Sequence, residues 1–283
     1  MEDDTHSLMG FAYPYANSKA VILQAPYEKT ASYLKGQASA PAAIIKASCQ
    51  VETYDIELQN DFIDKVGFHT LPPLQIENLP PEKAVDALEQ ATSKILADGK
   101  FPIILGGEHS LTTGAVRACK KKHADLCVLQ IDAHADMREE YENSKYSHAS
   151  VMARVREICP AVSVGIRSYS KEEAKLIGEK YPDVIFDSRI KGKENIILSK
   201  IKEKNVYITI DADGFDPSIM PGVGTPEPGG LLWDETLSLL KKVCAEKNIV
   251  GFDIVELMPI PSNAVSDFTC AKLAYKLAGY CLL

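Results

Sequence analysis

The sequence predicts an α/β fold in which a parallel sheet is covered by helices on both faces. Two observations predict the layers: short apolar runs alternate with amphipathic segments of helix length, and the runs have the length and β-branched content of buried strands. A third predicts where the chemistry lies. Four of the runs are followed at once by motifs rich in Asp, Glu and His, and in open α/β sheets ligands collect beyond the carboxyl ends of strands.

In chain order, strands are expected at 20–23, 53–58, 101–105, 126–131, 161–165, 184–186, 206–210 and 249–254, with helices in most of the gaps. The clearest helix starts at Pro81, where proline is pre-set for a first turn. It runs through Val85, Leu88, Ala91, Ile95 and Leu96 and stops at Gly99. The apolar segment 268–283 is interrupted at helical spacing by Lys272 and Lys276, which predicts an amphipathic packing helix. No repeat, low-complexity tract or Gly/Ser linker divides the chain, so residues 1–283 are expected to form one domain.

Composition narrows the function. With 46% hydrophobic and 25% charged residues the chain is an ordinary globular one, large enough for a substantial core. A net charge of −8 argues against a nucleic-acid or anionic-membrane surface and for cationic or neutral partners. The seven cysteines include no C-x-x-C pair, so neither a disulfide framework nor a zinc ribbon is expected. Glu2, Asp3 and Asp4 precede no apolar stretch, which excludes a signal peptide, and no run approaches the ~18 apolar residues of a membrane span. A cytoplasmic location is expected.

The motifs carry the argument further. Asp132, His134 and Asp136 follow the run 126–131, where a turning backbone can bring two carboxylates and an imidazole round one point. His109 follows 101–105 behind Gly106 and Gly107, which permit a tight turn; Asp211 and Asp213 follow 206–210, and Glu256 follows 249–254. Alone, Asp132 or Asp211 caps a helix or turn as readily as it binds anything, and His109 alone reads as a satisfied loop histidine. Together they would repel one another unless a cation lay among them. Asp216, directly before Pro217, reads as a turn former, and His6, His69 and His123 read as surface residues. Four aspartates and two histidines exceed what one cation with an open site requires, whereas two cations sharing bridging carboxylates use them all. Oxygen-rich ligation with no cysteine nearby suits Mn²⁺.

GGEHS at 106–110, DAHAD at 132–136, SHAS at 147–150, IDADGFDP at 210–217, GTPEPGG at 224–230 and DIVELMP at 253–259 together resemble the ureohydrolases, the arginase and agmatinase family, over about residues 100–260. The resemblance implies a three-layer α/β/α sandwich around a central, mostly parallel eight-stranded sheet, two Mn²⁺ per subunit, and a homotrimer or homohexamer. It also implies hydrolysis of a guanidino group to urea and an amine. Carried over residue by residue, it assigns one metal to His109, Asp132, Asp136 and Asp211 and the other to Asp132, His134, Asp211 and Asp213. His148 matches the family's mobile acid/base histidine, and Glu256 the carboxylate that grips the guanidinium. Family members more often read GGDHS, so Glu108 departs by one methylene and is expected to support the ligands rather than bind metal.

The chemistry makes sense of these groups. A guanidinium is cationic and resonance-stabilised, so a metal must lower the pKa of the attacking water, from ~15.7 towards ~7. A proton must reach the leaving amine as the C–N bond breaks. Asp136 can relay it and His148 can exchange protons with solvent, while Glu256 orients the substrate through charge-assisted hydrogen bonds. The loop 137–146, with Glu139, Glu140, Glu142 and two tyrosines, lacks the Asn, Ser and Thr richness of arginases, and Glu227 stands where arginases usually carry an apolar residue. Both features suit agmatine, giving putrescine and urea. Guanidinobutyrate, aminopropylagmatine and arginine remain open as substrates; from other classes, a one-zinc deacetylase-like enzyme and a catalytically inactive binding or regulatory homologue remain open.

Overall fold

The computed structural model describes residues 5–283; Glu2, Asp3 and Asp4, on which the signal-peptide expectation rests, lie outside them. Eight strands form the central sheet: β1 (Ala20–Ala25), β2 (Phe68–Thr70), β3 (Phe101–Gly106), β4 (Leu126–Ile131), β5 (Ala161–Val164), β6 (Ile185–Phe186), β7 (Asn205–Asp211) and β8 (Asn248–Val255). All pair in parallel, in the order β2-β1-β3-β8-β7-β4-β5-β6.

Because side chains alternate across a strand, each central strand feeds two cores. Cys127, Leu129 and Ile131 of β4 pack on one face with Leu240 and Val243 of helix Trp233–Glu246 and with Leu273 and Leu277 of helix Val265–Leu282. Leu126 and Val128 pack on the other face with Leu88 of helix Pro81–Ala97, Val116 of helix Thr112–Lys122 and Val155 of helix Val151–Ile158. Strands wetted on neither face can be apolar throughout, which is why the runs are so plain in the sequence. The helix Pro81–Ala97 ends as expected. Gly99 takes φ 71°, and the amide of Lys100 reaches back to the carbonyl of Ile95 at 3.1 Å, a glycine-closed helix end.

Two expectations fail in instructive ways. The stretch 53–58 is not a sheet strand: only Tyr54–Asp55 is extended, in an antiparallel ribbon with Asn60–Asp61. The buried Asp55 carboxylate accepts the amides of Glu57 and Leu58, both at 2.9 Å, and so turns the chain back on itself. The sheet's missing strand is β2, only three residues long and followed closely by Pro72 and Pro73. The last helix is not amphipathic at Lys276, which is buried and reaches Asp55 and Glu57. Among the described residues no helix is long and apolar enough to cross a membrane.

The strand order explains the site. The four strands that carry the acid and histidine motifs, β3, β8, β7 and β4, are the four adjacent central strands. Their carboxyl ends therefore meet at one crevice.

Candidate metal centre

The crevice is built by backbone that only certain residues can supply. A Cβ on Gly107 would lie 2.0 Å from the carbonyl oxygen of Tyr27, so only glycine lets the turn after β3 lie against the segment after β1. The amide of His109 donates to Glu256 Oε1 at 2.7 Å, and the amide of Glu256 donates to the carbonyl of Gly107 at 2.7 Å. These reciprocal bonds tie the ends of β3 and β8 together. Asp136 and Glu256 both occupy the left-handed region, at φ 52° and 61°, a cost that folded chains concentrate at functional sites. Asp136 is held there partly because its carbonyl accepts the amides of Met152 and Ala153, at 2.9 and 3.2 Å, where helix Val151–Ile158 begins.

Counting hydrogens fixes what His109 offers. Tyr207 and Thr112 donate to Asp253, each at 2.8 Å, and the Thr209 hydroxyl donates to the same carboxylate at 2.6 Å. Having given up its one hydrogen, Thr209 Oγ1 can only accept from His109 Nε2, 2.9 Å away. In the neutral ring the other nitrogen is therefore left as a lone pair. It faces Asp132 at 3.2 Å, Asp136 at 3.3 Å and Asp211 at 3.2 Å, and it is a buried atom with no hydrogen-bond partner. A lone pair amid three carboxylates is a place for a cation, and a ligating histidine oriented by its far nitrogen is the usual arrangement. A second cluster shares Asp132: His134 Nδ1 lies 3.0 Å from Asp213 and 3.8 Å from Asp132. The donor set thus fits two divalent cations with carboxylate oxygen in excess of nitrogen.

The protonation behaviour says the same. Burial pushes Asp132 up to about 7, helped by the Asp136 charge and resisted by His109. Burial, with Asp213 and Asp132 beside it, holds Asp211 well above the usual carboxylate range. Glu256 is pushed up to about 8, first by burial. Burial disfavours the charged forms of both histidines, yet the aspartates overcome it, raising His109 far above its ordinary value and His134 to about 11. Carboxylates this crowded and this buried call for positive charge among them.

All eight residues expected at the site meet here. His109, His134, Asp136, His148, Asp211, Asp213 and Glu256 line one cavity of about 280 Å³, and Asp132 lies fully buried beneath it, facing His109 Nδ1 at 3.2 Å and accepting the His134 amide at 2.6 Å. Asp216 turns away to accept amides of Ser218, Gly229 and Gly230. Of the loop 137–146, Arg138 and Tyr141 line the cavity, whereas Glu139, Glu140 and Glu142 face solvent, with Glu139 paired to Arg154 at 3.0 Å. The loop's acids therefore do not form the wall from which a tail preference was expected. Glu227 does stand close, 4.0 Å from His134 and bonded to Ser168 at 2.9 Å. Thr209, Asp253 and Gln130, which orient His109 and Asp132, are not among the site residues expected from the sequence. Their signal was visible as polar residues inside otherwise apolar strands.

The fold and site have counterparts. The Arginase family model matches residues 18–279. The chain belongs to the arginase family. It is 43% identical over 94% of its length, and 90% of the relative's, to the N(1)-aminopropylagmatine ureohydrolase of Synechocystis sp.. It is 34% identical, over 87% of the chain and 86% of the relative, to an agmatinase of Bacillus anthracis. Among solved structures, the agmatine ureohydrolase of Thermoplasma volcanium superposes with a TM-score of 0.87 at 33% identity, covering 98% of this chain and 94% of that one. The arginase of Medicago truncatula superposes at 0.81 with 28% identity, covering 94% and 88%. As an arginase-family member, the chain is a ureohydrolase with a metal-binding His/Asp cluster.

Proposed function

We propose that this ureohydrolase works with two Mn²⁺ and hydrolyses the guanidino group of a long, amine-tailed substrate, N(1)-aminopropylagmatine, to spermidine and urea. The single observation that supports two metals is the unpartnered Nδ1 of His109 among three carboxylates, with a second imidazole–carboxylate set sharing Asp132. His109, Asp132, Asp136 and Asp211 would hold one metal, and Asp132, His134, Asp211 and Asp213 the other. Bound there, the pair would supply the Lewis acidity that brings the pKa of water towards neutrality.

The chain's own residues account for the remainder. Glu256 is fixed by the His109 amide at Oε1, which leaves its second oxygen to receive guanidinium N–H groups and hold the carbon in place. Asp136, whose strained backbone aims its carboxylate into the crevice, takes a proton from the attacking water and passes it to the departing amine. His148, on the cavity wall, exchanges protons with solvent.

The tail reading rests on two supports. The relative named for aminopropylagmatine is 43% identical, against 34% for an agmatinase. The cavity wall also carries Tyr33 and Tyr169, aromatic side chains of a kind that suits the ammonium groups of a polyamine. Agmatine, the shorter form, is the second reading, favoured by the agmatine ureohydrolase that superposes on the chain. Urea release from aminopropylagmatine, agmatine, arginine and guanidinobutyrate in parallel decides between them. We expect kcat/KM for aminopropylagmatine to exceed that for agmatine by about tenfold, from the added cationic contacts; turnover of arginine alone would overturn the proposal. We further propose a cytoplasmic homotrimer or homohexamer, which light scattering of the purified protein tests.

A further inference from the structure

Glu108 stands next to His109 in the chain, yet its side chain serves the other side of the cavity. The fully buried carboxylate accepts the Thr30 amide at 2.7 Å, the Thr30 hydroxyl at 2.8 Å and the hydroxyl of Ser110. Thr30 Oγ1 in turn accepts the amide of His148 at 3.0 Å and lies 3.2 Å from His148 Nδ1. A hydroxyl has one hydrogen and two lone pairs. The hydrogen goes to Glu108 and one lone pair to the His148 amide, so the contact with Nδ1 can only be completed by a hydrogen on the ring. Ser147 Oγ, at 3.4 Å from Nδ1, and Ser32 Oγ, at 3.5 Å from Nε2, are longer contacts whose hydroxyls can turn to suit either state.

We propose that Glu108 and Thr30 are positioning residues that hold neutral His148 as its Nδ1–H tautomer, leaving Nε2 as the atom that gains and loses the proton. The nitrogen available for proton transfer is set by the hydrogen bond the other makes, and here that bond is anchored through one hydroxyl to the turn that carries His109. The methylene by which Glu108 exceeds an aspartate lets its carboxylate reach across to the segment after β1. The kinetic consequence rests on the acid/base role proposed for His148; the tautomer does not.

The test uses the full-length protein and two readouts. Long-range ¹H–¹⁵N spectra, with the His148 ring assigned by comparison with His148→Ala, should show the proton on Nδ1 in the wild type and in Thr30→Ser. Thr30→Val and Glu108→Asp should move it towards Nε2. A wild-type ring protonated at Nε2, or one whose tautomer ignores Thr30→Val, overturns the proposal. In kinetics, Thr30→Val should lower kcat about tenfold, a fraction of what a positioned acid/base is worth, with KM and metal content unchanged, and Thr30→Ser should restore it. Wild-type kcat in Thr30→Val while His148→Ala is impaired overturns the positioning role. Unimpaired His148→Ala would instead count against the acid/base reading, and the spectra would still decide the tautomer.

Discussion

Two charge clusters, each with a buried carboxylate at its centre, sit in this molecule, and they are built to opposite rules. In one, Lys276 of the last helix lies 3.0 Å from Asp55 and 2.6 Å from Glu57, while Lys241 and Tyr280 complete the shell of Glu57 at 2.8 and 2.7 Å. Burial raises Asp55 and Glu57, but the Leu58 amide and Lys276 bring Asp55 below its ordinary value, and Lys241 and Lys276 bring Glu57 down to about 2. In the other, Asp132 and Asp211 crowd the imidazoles with, among the described residues, no lysine or arginine in the ion pairs, and both acids are driven upwards, while only Asp213, paired to His134, is brought down against its burial. Buried acids that bring their own cation hold structure; buried acids left short of one await a cation from outside.

Neutralising one group in each cluster should have opposite effects on the metal-free protein. The largest effect is expected at Asp211→Asn, which should lower urea release by about 10³-fold, several kcal/mol of lost transition-state stabilisation. The same change should raise the stability of the metal-free protein by about 1 kcal/mol, because it relieves repulsion. Next, Lys276→Met should cost about 3 kcal/mol in urea unfolding by stranding Asp55, with metal content unchanged. Equal losses in metal-free stability from both variants would erase the distinction.

The smallest effect is in pH dependence. In the metal-free protein Asp132, near 7, and Glu256, near 8, are raised above unfolded values of about 4. Their stabilisation is therefore complete below pH 4 and declines as pH rises to about 8. His109 and His134 act in the same direction, with full contribution below about 6.5 and loss above it. The Lys276 cluster has the reverse sign: Asp55 and Glu57 are lowered, so their contribution is present above about pH 4.5 and vanishes on acidification towards pH 2. Unfolding curves from pH 2 to 9 should show the acid-side slope flattened in Lys276→Met and the alkaline-side slope flattened in Asp211→Asn.

The two clusters also differ in how far the sequence revealed them. The crevice was legible because its ligands follow apolar runs at once, and the parallel layering places those run ends on one edge. His109, Asp132 and Asp211 are local punctuation on long strands. The Lys276 cluster was not legible, since its partners lie some 220 residues apart and each has a local reading of its own: Lys276 as the wet stripe of a helix, Asp55 as part of a strand at 53–58. The strand β2 escaped for a related reason. Three residues are too few to show a period, and only pairing with β1 makes Phe68–Thr70 a strand. Thr30, contributed by the segment after β1, bears on His148 only across the fold.

On the proposed function the crevice takes two cations. Protein stripped with chelator and titrated with Mn²⁺, with bound metal counted and urea release followed on the same samples, tests it most directly. Two Mn²⁺ per chain are expected, with activity returning as the second binds and with both sites lost together in Asp132→Asn. One tightly held zinc per chain with full activity would contradict it.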